Sequence, residues 1–92
     1  MTQDQAEALA LEALAWIAAS DDLMDVFLGA SGASLSEVKA QATDPDMLAS
    51  VLDFLMMDDA WVIGFCDANG HAYTQPQIAR QSLPNGALPN WT

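Results

Sequence analysis

The chain has 92 residues, 52% of them hydrophobic, and carries 13 acidic side chains against only Lys39 and Arg80, a net charge of −11. That length makes one domain, and that apolar fraction excludes a disordered chain. The surplus negative charge repels phosphate, so neither nucleic acid nor an anionic membrane surface is an expected partner.

The opening stretch, MTQDQAEALALEALAW, lacks a basic region and carries Asp4, Glu7 and Glu12, so it does not read as a signal peptide. No apolar run approaches the roughly 18 residues that span a bilayer. The single cysteine, Cys66, excludes an internal disulfide and suits a reducing compartment. A bacterial cytoplasmic protein is the expectation.

A first helix is predicted over residues 4–19, capped by Asp4 or Thr2. Ala6, Leu9, Ala10, Ala13, Trp16 and Ile17 follow helical spacing, with Leu11 and Leu14 widening the apolar arc. So many alanines mark a central packing helix, with Trp16 filling space at one end. Ser20, Asp21 and Asp22 offer the next cap, before a short stripe of Leu23, Val26, Phe27 and Leu28 that Gly29 and Gly32 terminate. Ser34 and Glu37 form a capping box that opens a helix to about Ala42. Asp44-Pro45 opens the fourth helix, with aspartate as cap and proline where its missing N–H costs nothing.

On the fourth helix Leu48, Val51, Leu52 and Leu55 share a face, with Met47, Phe54 and Met56 flanking it and Met57 opposite. The adjacent Asp58 and Asp59 then interrupt an otherwise apolar run. They read as a junction in which an aspartate caps a fifth helix from Ala60 to about Asp67. The run WVIGFC has strand-like composition, but the chain offers no second strand to pair with it, so helix is preferred. Asn69-Gly70 ends that helix, and Thr74 caps a last one from Gln75 to Ser82. The tail LPNGALPNWT repeats Leu-Pro-Asn, which favours extended chain.

The predicted fold is therefore all-α, a compact single-domain bundle of five or six short helices over residues 1–92. Its extended tail, 83–92, is expected to dock on the bundle through Leu83, Leu88 and Trp91. The alternative, that the tail is a ligand for a partner's groove, stays open.

Chemistry is sparse. Reading Asp67-Ala68-Asn69-Gly70 as a calcium loop puts Phe65 and Pro76 at ligand positions, and both fail. Cys66 and His71 are the only soft ligands, fewer than zinc needs, so no metal or other cofactor is expected. A Cys66–His71 nucleophile and base lacks any group to orient the histidine, and a buried, inert cysteine is preferred. The carboxylate pairs Asp21/Asp22 and Asp58/Asp59 sit at caps. Methionine and tryptophan are favoured at adaptable interfaces, which makes Met56, Met57, Trp61 and Trp91 the candidate partner-binding residues.

Several segments together resemble a known family. They are VLDFLMMDDAWVIGFC (51–66), Gly70, Ala79-Arg80, Leu83-Pro84-Asn85-Gly86 and the ending Asn90-Trp91-Thr92, with ALALEALAWIA (8–18), VFLGASG (26–32) and Asp44-Pro45 in the first half. The chain resembles the small bacterial family known as domain of unknown function number 3572. Members usually carry Leu-Pro-Gly-Gly where this chain has Leu-Pro-Asn-Gly, and often glutamate near Asp59. The resemblance implies a compact, mostly helical, alphaproteobacterial cytoplasmic protein with no established activity, and it carries over no catalytic residue.

The functional expectation is a protein–protein interaction or adaptor domain without catalysis, binding an unknown protein partner, itself a monomer or weak homodimer. Two alternatives are a small hydrolase using Asp58 or Asp59 with His71, and an acidic DNA mimic suggested by the charge alone.

Overall fold

The computed structural model describes residues 1–20 and 22–83. Among these lie six helices and no strand: α1 (Gln3–Ala19), α2 (Leu23–Ser31), α3 (Leu35–Ala40), α4 (Pro45–Leu55), α5 (Asp59–Asn69) and α6 (Gln75–Gln81). Residues 84–92, with Leu88 and Trp91 of the expected docked tail, and Asp21 fall outside the described residues. Leu83, where the described chain ends, is buried.

Local chemistry places most of the boundaries. Thr2 Oγ1 accepts from the Gln5 N–H at 3.1 Å while Gln5 Oε1 accepts from the Thr2 N–H at 3.0 Å, a reciprocal cap that satisfies two donors at the start of α1. Thr2, rather than Asp4, is thus the cap. Ser34 and Glu37 close the predicted capping box on α3. Asp44 Oδ1 accepts from the Asp46 N–H at 2.9 Å, with Pro45 at the first helical position.

Asp58 Oδ1 accepts from the Ala60 N–H at 2.8 Å, and Asp59 stands in the first turn of α5, where the helix dipole favours a carboxylate. The paired aspartates are a helix start. Gly32 and Gly70 end α2 and α5 at φ of 75° and 74°, a left-handed backbone that side chains with a Cβ rarely adopt.

Several expectations need correction. Gly29 lies inside α2 rather than ending it, because the left-handed turn comes at Gly32. Val26 is 47% exposed, since so short a helix buries only Phe27 fully and leans Leu23, Met24 and Leu28 on the core's edge. Asp22 before α2 (φ −105°, ψ −2°) and Thr74 before α6 (φ −86°, ψ −11°) sit in helical conformations, so neither side chain makes a capping bond. α3 stops at Ala40 and α5 runs to Asn69, each two residues from the expected end.

The core is built on α1 and α4. α1 contributes Ala6, Leu9, Ala10, Ala13, Leu14 and Ile17, and α4 contributes Leu48, Ala49, Val51, Leu52, Phe54 and Leu55. Their pairing is the most extensive among the described helices, and α1 also packs on α2, α5 and α6. Its alanine face permits this, because small side chains let neighbouring helices approach closely. Phe27 meets Phe54 edge-on at 5.2 Å, and Phe65 meets Trp16 edge-on at 6.3 Å. The Trp16 indole lies over Gly64, where an added Cβ would come within 3.0 Å of Cζ2. Glycine inside α5 thus makes room for a tryptophan on α1. The last helix is tied down by Arg80 Nε donating to Asp53 Oδ1 at 2.7 Å.

Candidate functional site

Three surface features combine exposure with shape. The first is an apolar groove where α1, α2 and α3 meet, about 300 Å³ in volume, with Leu11, Leu14, Met24, Leu35 and Val38 among its walls. Among the described residues Lys39 is its only charged lining residue. Leu11 is 38% and Leu35 45% exposed, so the apolar surface is open to solvent. The groove exists because α1 is apolar around more of its circumference than its contacts with the other helices cover. Leu11, Leu14, Ala15 and Ala18 form a second stripe, and short α3 lies along one side of it.

The second feature is a notch of about 230 Å³ between α2 and the end of α4, lined by Phe27, Ala30, Phe54 and Met57 with Ser31, Ser50 and Asp53. Met57 is 72% exposed. The other predicted partner-binding residues are placed differently. Met56 is half-buried against the core, and Trp61 is half-buried with its ring stacked on Phe54 at 4.8 Å. Trp91 lies outside the described residues. Of the four, the structure therefore shows only Met57 standing clear of the core.

The third is a cleft of about 500 Å³ between α1 and the turn leading into α6, lined by Met1, Gln5, Ala8, Leu9, Glu12, His71, Gln75 and Ile78. Across it Glu12 Oε1 and His71 Nε2 lie 2.6 Å apart, joining positions 59 residues apart in the chain. The imidazole also leans on Phe65, with ring centroids 5.6 Å apart. The sequence offered no group to orient His71. The structure supplies Glu12, which lies on the polar side of α1 and gave no local signal.

His71 is thereby separated from the paired aspartates. Asp58 caps the start of α5 and His71 follows its C-terminal glycine, so an eleven-residue helix lies between them, about 16 Å of rise. A hydrolytic site built from Asp58 or Asp59 with His71 does not form. Asp59 instead lines a recess with Met56, Val62 and Tyr73.

Cys66 is fully buried, and burial, with the Asp67 charge adding, pushes its thiol above the usual range. Its Sγ–H points to the Ala72 carbonyl at 3.5 Å. Such a thiol is a poor nucleophile. Asp67 lies in the last turn of α5 and accepts the Tyr73 hydroxyl at 2.7 Å, which raises the tyrosine above its ordinary range. No three His, Cys, Asp or Glu side chains converge among the described residues. No described helix is long and apolar enough to cross a membrane.

Comparison with curated proteins and with solved structures gives no match. A family match does cover residues 3–86, which span all six helices. The chain belongs to the family described as protein of unknown function, DUF3572.

Proposed function

We propose that this chain is a protein–protein interaction domain, and that the α1–α2–α3 groove receives an apolar helical face of a partner. The open groove carries this reading. Among the described residues no acidic side chain lines the groove, in a chain that carries 13, although Leu11 and Leu35 are well exposed there. Exposed apolar surface of this kind in a charged chain marks a contact site. A short amphipathic helix fits a groove between helices by inserting residues spaced one turn apart. Met24 adapts to varied side chains, since its thioether chain is unbranched. Met57 and its notch form a smaller second patch on the same reading. The acidic side chains favour helix starts, with Asp4, Asp25, Glu37, Asp46 and Asp59 in first turns, which supports a structural use of the charge over mimicry of DNA. The lone buried thiol of Cys66 supports a reducing, cytoplasmic setting.

The test is a photo-crosslinker placed at Leu35 in the native host. It should give one dominant adduct that Leu11→Glu abolishes and Val26→Glu, on exposed surface outside the groove lining, leaves intact. Circular dichroism confirms that both variants fold. Adducts indifferent to Leu11→Glu would refute the groove as the contact.

A further inference from the structure

The cleft beside α1 differs in character from the groove. Its volume of about 500 Å³ lies within the range of small-ligand sites, roughly 300–1,000 Å³. Its walls divide by chemistry into hydrocarbon from Met1, Ala8, Leu9 and Ile78 and polar groups from Gln5, Glu12, His71 and Gln75.

The polar groups have capacity to spare. His71 engages only Oε1 of Glu12, and Oε2 has no hydrogen-bond partner among the described residues. The Gln75 side-chain amide has none there either. The contact with His71, itself backed by Phe65, holds the carboxylate in place before any ligand arrives. That order reduces what a ligand loses in fixing its partner.

Charge then selects among ligands. The chain bears a net −11, and of its two cationic side chains Arg80 is engaged by Asp53 and Lys39 lines the α1–α2–α3 groove, so neither lines the cleft. Anionic ligands are repelled by this field, while cations are concentrated near it. A neutral alcohol makes only ordinary hydrogen bonds, whereas an ammonium makes charge-assisted ones to the carboxylate. The apolar wall adds a preference for hydrocarbon attached to that head.

We propose that the cleft binds a primary amine carried on a short aliphatic chain. The ammonium meets Glu12 and the Gln75 amide oxygen, and the hydrocarbon lies over Leu9 and Ile78. This site is independent of the α1–α2–α3 groove, so either assignment can fail without the other.

The experiment is a two-dimensional amide NMR titration of the intact chain with n-butylammonium, 1-butanol and butyrate at fixed ionic strength. Butylammonium should produce saturable shifts centred on Glu12, His71, Gln75 and Ile78. Affinity should rise from ethylammonium through butylammonium to hexylammonium. Butanol should bind weakly and butyrate not at all. Glu12→Gln, with its folding checked by circular dichroism, should weaken butylammonium on the order of tenfold, the loss expected for a hydrogen bond to a charged group. Three results would overturn the assignment. These are shifts spread over surface carboxylates such as Asp4 and Asp46 that survive Glu12→Gln, equal responses to butanol and butylammonium, and no saturable response to any of the amines.

Discussion

Replacing Leu52 by alanine tests the centre of this fold. Leu52 is fully buried on α4, and Leu48, Val51 and Leu55 beside it are fully buried too. The facing helix α1 presents Ala6, Ala10 and Ala13 to the core beside Leu9, Leu14 and Ile17, and the alanines are too short to lean into a void. The site therefore collapses poorly, and the cost belongs in the upper half of the range for such truncations, about 3–5 kcal/mol. A domain of this length is stable by roughly 5–14 kcal/mol, so the substitution removes a large share of it. Asp44→Ala gives the contrast on the same helix. It deletes one capping bond at an exposed end and should cost about 1 kcal/mol. Urea unfolding followed by circular dichroism reads both. With an unchanged slope, the midpoint should fall several-fold further for Leu52→Ala than for Asp44→Ala. Equal, small shifts would show that α4 does not organise the core.

Gly64→Val places two methyl groups where even a Cβ comes within 3.0 Å of Trp16. It should cost about 1–3 kcal/mol and alter tryptophan fluorescence, and an unchanged spectrum would contradict the α1–α5 contact. Glu12→Gln should reduce stability by less than about 1 kcal/mol in thermal or urea unfolding, because the Glu12–His71 pair is partly exposed at both side chains. The buried Cys66 thiol titrates higher in the folded chain than in the unfolded one, so above the ordinary thiol value of about 8.5 the unfolded state loses its proton first. Unfolding free energy should thus decline as pH rises from 8 to 10, and the Cys66→Ala variant should show a shallower decline. Slow reaction of native Cys66 with a thiol reagent, and fast reaction once unfolded, is the matching kinetic observation.

The helix starts were readable because their causes are local. Thr2, Ser34, Asp44 and Asp58 each accept a backbone N–H within three residues, so the signal and the structure occupy the same short window. The α4 core face was readable for a similar reason, since helical periodicity alone brings Leu48, Val51, Leu52 and Leu55 to one side. Thr74 shows the limit of this local reading. A residue suited to capping makes no cap when the preceding turn holds its backbone in a helical conformation.

The surface features belong to the tertiary level. The sequence singled out Met56 and Trp61 as apolar and adaptable, but only the packing of α2 and α5 around α4 decides that Trp61 stacks on Phe54 while Met57 stands clear. The width of the α1 arc was visible in Leu11 and Leu14. That its outer stripe becomes a groove depends on α3 being too short to cover it. The meeting of Glu12 with His71 depends on α1 and the turn before α6 coming together across 59 residues of chain. By itself the sequence determined five or six amphipathic helices, the caps of four of them and an alanine-faced central one, since those follow from residues a few positions apart. Which apolar surface stays open, and which carboxylate meets the histidine, was decided by how the helices pack, because no local window contains both partners.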